Sequence, residues 1–189
     1  EYVSGGSLLS GKLGQKVFSE KLNLASDRNA ATNPESCFFD DEGQTAENDR
    51  VFFVENGVLK HVTASKNSAK KFGIPVSKTS VSAYDGVPAG SYSRLYVSPT
   101  AESLAKLVPQ KAILAVMASG GDTTPDGHFA TPVQLAFLVE NGVLVGRLPE
   151  LNVSGDFFDM LGSGFVGASN STVIGTDTMC AAEMKVEKM

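Results

Sequence analysis

Phe53-Val54-Glu55-Asn56-Gly57-Val58-Leu59 returns later in the chain as Leu138-Val139-Glu140-Asn141-Gly142-Val143-Leu144, with six consecutive residues identical. In both copies Asn-Gly separates two apolar runs. A type I′ turn needs positive φ at both central residues, which Asn and Gly adopt at least cost, so each copy predicts a two-residue β-hairpin. A short helical pattern ending in glycine follows each hairpin. The first is Ser65 to Phe72 before Gly73; the second is capped by Ser154 and carries Phe157, Phe158, Met160 and Leu161 before Gly162. A hairpin-plus-helix unit thus occurs twice, the mark of duplication or structural pseudo-symmetry.

Between the copies, Ser98-Pro99 reads as the capped start of a helix running through Leu104 to about Val108. The near-continuous apolar run Ala112 to Ala118 predicts a strand buried on both faces, and Val133 to Val139 a second central strand. Leu8, Leu9, Leu13 and Val17, with Lys12 and Lys16 between them and Ser7 as cap, have the spacing of an amphipathic helix. Residues 26–50 are rich in Asp, Asn, Pro and Gly and read as a long surface loop. Met179 to Val186 reads as a closing strand with Cys180 buried in it. The expected fold class is α+β: a mostly antiparallel, strongly curved or barrel-like sheet with short helices, residues 1–189 forming a single domain.

Composition narrows the function. The 189 residues carry a net charge of −5, and the lysines are scattered rather than lined up with aromatics. Direct nucleic-acid binding is not expected on that ground, because phosphate contacts supply most of that affinity. Two cysteines, Cys37 and Cys180, are too few for a disulfide scaffold of this size, which favours a reducing, cytoplasmic setting. No run approaches the roughly 20 apolar residues that span a bilayer, so no membrane partner is expected. The chain begins at Glu1 rather than methionine, which leaves room for an upstream segment.

No catalytic constellation is complete. His61 and His128 are the only histidines, far apart in sequence, and no Gly-x-Ser-x-Gly or Walker loop occurs. His61 lies in an outgoing hairpin strand where alternation points it at solvent. The acidic residues Asp40, Asp41, Glu42, Glu47 and Asp49 lack EF-hand spacing and read as a solvated loop. What remains is a glycine-rich exit from a strand, Ser119-Gly120-Gly121, followed by His128 at the start of the next strand. Without bulky side chains, that loop is where another backbone can approach closely. By itself Ser119-Gly120-Gly121 reads as a plain turn, and no catalytic or metal-ligating residue is assigned.

Several blocks occur in a familiar order: Leu9 to Val17, Phe39-Asp40-Asp41-Glu42-Gly43, the first Glu-Asn-Gly hairpin, and Asn67 to Gly73. Gly120-Gly121, Asp126-Gly127-His128-Phe129, the second hairpin and Asn152 to Met160 continue it. Together they resemble the C-terminal domain of the TldD/PmbA family, named as modulators of DNA gyrase, over nearly the whole chain. That resemblance implies an intracellular, metal-dependent peptidase of unfolded peptides. Zinc would sit only in a full-length or partner subunit with an upstream His-Glu-x-x-x-His helix, and none in this chain. The implied partners are a peptide substrate and a homodimer or heterodimer with a related subunit; with a peptide lying extended in a cleft, Ser119, Gly120, Gly121 and His128 are the candidate substrate-binding residues. Cys180 stands in Met-Cys-Ala-Ala-Glu-Met rather than in the Cys-Gly stretch of TldD-like members, so the resemblance is closer to the metal-free PmbA-type subunit. A non-catalytic scaffold or partner of a metal-bearing peptidase is the alternative.

Overall fold

Both Asn-Gly hairpins form. Asn56 and Gly57 have φ of 50° and 76°, and Asn141 and Gly142 have 52° and 76°, the paired positive values of a type I′ turn. A Cβ on Gly57 would lie 2.7 Å from the Ser19 carbonyl oxygen, and one on Gly142 would lie 2.6 Å from the Ala105 nitrogen. Each turn is thus pressed against other backbone, a packing constraint added to the conformational one. The computed structural model describes residues 1–34, 36–92, 94–170 and 178–189, which divide into two compact units, Glu1–Val97 and Ser98–Met189.

In the first unit, β1 (Leu24–Asp27), β2 (Arg50–Glu55) and β3 (Val58–Leu59) precede α1 (Lys66–Phe72); β4 (Ser80–Val81), β5 (Ala89–Gly90) and β6 (Leu95–Val97) follow. One antiparallel sheet has the order β3-β2-β1-β6, and β4 pairs with β5. Its core gathers Phe18, Leu22, Ala25, Phe53, Val54 and Leu59. α1 is capped as the sequence implies: the Ser65 hydroxyl accepts the Ser68 N–H, and Gly73 ends the helix at φ 65°.

Three expectations fail here. No N-terminal helix forms, because Gly11 and Gly14 take φ of 73° and 80° and break the helical path; the Ser7 hydroxyl accepts only the Leu9 N–H of a turn. The long loop starts later than expected, since residues up to Asp27 belong to β1, an interior strand of the sheet. Nor is its acidic block simply solvated. Asp40 is 2% exposed and accepts the N–H groups of Glu42, Gln44 and Ser80, while Asp41 accepts from Ser82 and Glu42 from Lys66 and Ser80. The carboxylates fasten the loop to the start of α1 and to β4.

The second unit contains α2 (Leu104–Leu107), β7 (Lys111–Ala118), β8 (Asp122–Thr123), β9 (His128–Glu140), β10 (Val143–Leu148) and β11 (Leu151–Asp156). It ends with α3 (Phe157–Leu161), β12 (Phe165–Ser169), β13 (Met179–Ala182) and β14 (Lys185–Lys188). β9 organises the larger sheet: β7 and β8 pair with it, β10 and β11 also pair with it, and β14 extends β11. All of these pairings are antiparallel. β9 buries Val133, Ala136 and Val139, three residues apart instead of two. Its register with β7 slips around Ala115, Met117 and Ala118, and the slip rotates the strand. Val133 and Ala136 consequently join Leu151 and Val153, whereas Val139 packs on Leu104 and Leu107 of α2.

The expected α+β class and antiparallel pairing hold, but the barrel does not. The described strands form separate open sheets, and none closes on itself. The strand at 112–118 is not buried on both faces: β7 flanks β9, and Ile113, Val116 and Met117 are exposed. The helix expected from Ser98 begins only at Leu104 under a Ser103 cap, because the Thr100 and Ala101 N–H groups donate to the Ala168 carbonyl instead. Asp156, not Ser154, caps α3, since β11 runs on through Ser154. That intervening strand also limits the repeat to the hairpin itself. The closing strand is two strands: β13 pairs with β12 and β14 with β11. Cys180 on β13 is exposed rather than buried. His61 is half-buried, its Nδ1 2.9 Å from the Phe52 carbonyl oxygen, rather than turned to solvent. Among the described residues, no helix is long and apolar enough to cross a membrane.

Candidate functional site

The glycine-rich loop turns out to be a bulge in an edge. β7 pairs with β9 up to Ala118–Val133, and β8 resumes at Asp122–Ala130, so both lie along β9 with Ser119–Gly121 arched out between them. Opposite the arch β9 carries Pro132, which has no N–H to offer a ladder. Two side chains take over. Gln134 accepts the Ser119 N–H at 3.0 Å and donates to the Ser119 carbonyl at 2.9 Å, and the Thr131 hydroxyl donates to the Gly120 carbonyl at 3.0 Å. Sequence reading missed Gln134 and Thr131; the available signal was a proline inside a strand, which obliges neighbouring groups to find partners elsewhere.

The two glycines differ. Gly121 has φ 96°, and a Cβ there would lie 2.8 Å from Thr131 Cα and against the Ala130 carbonyl. Its missing side chain makes room for β9 itself. Gly120, at φ 76°, has only Pro132 Cγ nearby, at 3.8 Å, and faces open space. The approach available to another molecule is thus at Ser119 and Gly120.

His128 stands at the same end of β9, on the tip of the β8–β9 hairpin. The turn is closed by the Thr124 N–H donating to the His128 carbonyl, and the Thr124 hydroxyl also bonds to Asp126. Asp126 Oδ2 lies 3.7 Å from His128 Nε2, and Asp156 Oδ2 lies 3.6 Å from Nδ1. The Thr124 hydroxyl, followed by the N–H of Asp126 itself, holds the Asp126 carboxyl below its ordinary range. Asp156 is opposite His128 across the β9–β11 ladder, and its Oδ1 caps α3 through Phe158 and Asp159. The same aspartate borders a shallow hollow with Gly155, Asp159, Met160, Glu183 and Lys185.

The imidazole meets its two carboxylates through opposite ring nitrogens, so the trio cannot converge on one ion. Among the described residues, no group of three His, Cys, Asp or Glu side chains is placed to hold a metal. What the region offers is an edge. β7 has no second strand partner among the described residues, and Ile113, Val116 and Met117 lie exposed along it. The edge leads through the Ser119–Gly121 bulge to a hairpin tip carrying Asp126 and His128.

Comparison with known proteins accounts for the whole chain. A metalloprotease of Archaeoglobus fulgidus is 32% identical over 164 residues, 84% of this chain and 37% of that protein. A zinc metalloprotease TldD homolog of Saccharolobus solfataricus is 27% identical over 152 residues, 78% of this chain and 34% of that protein. The chain therefore spans little more than a third of these relatives' length. The fold matches a crystal structure of a proposed modulator of DNA gyrase from Bacteroides thetaiotaomicron, with TM-score 0.72 and 23% identity over all of this chain and 41% of the other. It also matches TldE from Thermococcus kodakarensis, with TM-score 0.67 and 20% identity over 98% of this chain and 45% of the other. The model of the PmbA/TldA metallopeptidase C-terminal domain matches residues 1–189, and the chain belongs to that family.

Proposed function

We propose that residues 1–189 act as the C-terminal domain of a TldD/PmbA-type peptidase of unfolded peptides in the cytoplasm, forming one wall of the substrate cleft. The observation that carries this reading is the open edge of β7, continuous with the Ser119–Gly121 bulge. A peptidase of unfolded chains has to hold many sequences, and pairing an extended peptide with a strand edge does so through main-chain bonds. Ser119 and Gly120 leave room for that backbone at the bulge, and His128 flanks its end.

The described residues do not fit a zinc site, so no catalytic step is assigned to them. Zinc, named in the S. solfataricus relative, is placed on an upstream His-Glu-x-x-x-His helix or on a related partner subunit, and the working unit is a homodimer or heterodimer. Cys180 bears on which. It lies within β13 opposite Ala168, in Met-Cys-Ala-Ala-Glu-Met rather than a Cys-Gly stretch, which favours the PmbA-type role of a metal-free partner. The test is metal analysis and peptide turnover of the 189-residue chain beside the full-length protein and its complex. The chain alone should retain no stoichiometric zinc after dialysis and cleave nothing, while the full assembly does both. Stoichiometric zinc on the isolated chain would overturn the assignment.

A further inference from the structure

The β7 edge has a direction, and its charges are unequal at the two ends. At the start, Lys111 is neutralised by Glu140, 2.9 Å away. Ile113, Val116 and Met117 then present exposed apolar side chains. At the far end, past the bulge, Asp122 and Asp126 are exposed, and the Thr124 hydroxyl donates to Asp126. Resting on the reading of β7 as the peptide-binding edge, we infer that the edge selects one class of peptide in one orientation. The occupant is an extended, apolar segment lying antiparallel to β7, with a positively charged amino end at Asp122 and Asp126.

The orientation follows from charge. An antiparallel peptide brings its α-ammonium to the acidic end and its carboxylate to the near-neutral Lys111–Glu140 end. A parallel one would set its carboxylate beside two aspartates. The eight residues of β7 span about 26 Å, so a peptide of about eight residues covers the edge and leaves its first residues next to Asp122. The exposed apolar side chains supply cross-strand contacts with an apolar segment. The charge acts over about 8 Å at physiological salt, so it adds a modest, salt-sensitive preference to binding that the main chain provides.

The test uses the full-length protein, an unstructured apolar octapeptide carrying a fluorophore at its carboxyl end, and the same peptide acetylated at its amino end. Acetylation should weaken binding about two- to fivefold at low salt, the size of an exposed ion pair. The ratio should fall toward one in 1 M salt and in the double variant Asp122→Asn, Asp126→Asn. Hydrogen exchange over residues 111–118 is followed in parallel. Equal binding of the two peptides while both protect β7, or a ratio that survives in the double variant, overturns the charge inference and leaves the edge reading standing. Protection of β7 by neither peptide overturns both.

Discussion

Gly120 and Gly121 are neighbours in one bulge, yet replacing each by alanine should have different consequences. Both have positive φ, 76° and 96°, where an L-residue costs about 1–2 kcal/mol. At Gly120 that is the whole penalty, because the nearest atom to a new Cβ is Pro132 Cγ at 3.8 Å. At Gly121 the Cβ would meet the Ala130 carbonyl and the Thr131 Cα, so β9 has to move, at a further cost of about 1–3 kcal/mol. Gly120→Ala should therefore lose about 1–2 kcal/mol and Gly121→Ala about 2–5 kcal/mol. Urea denaturation of the isolated chain, followed by circular dichroism, resolves a gap of that size. Peptide turnover in the full-length assembly completes the comparison: Gly120→Ala should lower turnover by more than its stability loss explains, while Gly121→Ala loses both together. Equal destabilisation by the two variants would refute the distinction between a glycine that clears β9 and one that faces outward.

The buried Asp40 carboxylate holds three backbone N–H groups, so Asp40→Ala should cost about 2–4 kcal/mol in denaturant titration. Asp156→Ala removes the cap of α3 and should cost about 1 kcal/mol, read from the denaturation midpoint. Acid should also weaken the first unit. Burial tends to raise the Asp27 carboxyl, but bonds from Arg50, Thr32 and Asn29 outweigh it and set the pKa below the ordinary 3.8; the Ser82 hydroxyl and N–H lower Asp41 likewise. Groups whose folded pKa is depressed contribute stability above the unfolded value and lose it as pH falls through the folded one. The midpoint should hold from neutrality to about pH 4 and fall below it, and Asp27→Asn should flatten that fall.

The local chemistry of the sequence was legible where one residue type has one job. Asn-Gly dictated both hairpins, and Ser65 and Gly73 dictated both ends of α1. Legibility failed where backbone partners come from far along the chain. Ser98-Pro99 has the pattern of a helix start, but Ala168 takes the N–H groups of Thr100 and Ala101. The apolar run 112–118 reads as doubly buried, and nothing within it tells that its only described strand partner is β9. Asp40 looks solvated because the amides it serves include that of Ser80, far along the chain. At the candidate site, Ser119, Gly120, Gly121 and His128 fall at one end of β9, but the flanking Asp156 comes from β11 and could not be placed by spacing.

The most direct test of the cleft wall blocks the edge without disturbing the sheet behind it. Val116 is skipped in the β7–β9 register, between the pairs formed by Ala115 and Met117. Proline is tolerated on edge strands and at irregularities in a ladder, and an edge that carries it resists pairing with an added strand. In the full-length assembly, Val116→Pro should keep its melting temperature within a few degrees and lower turnover of unfolded peptides by about fivefold or more. A well-folded variant that cleaves at the unaltered rate would contradict the account.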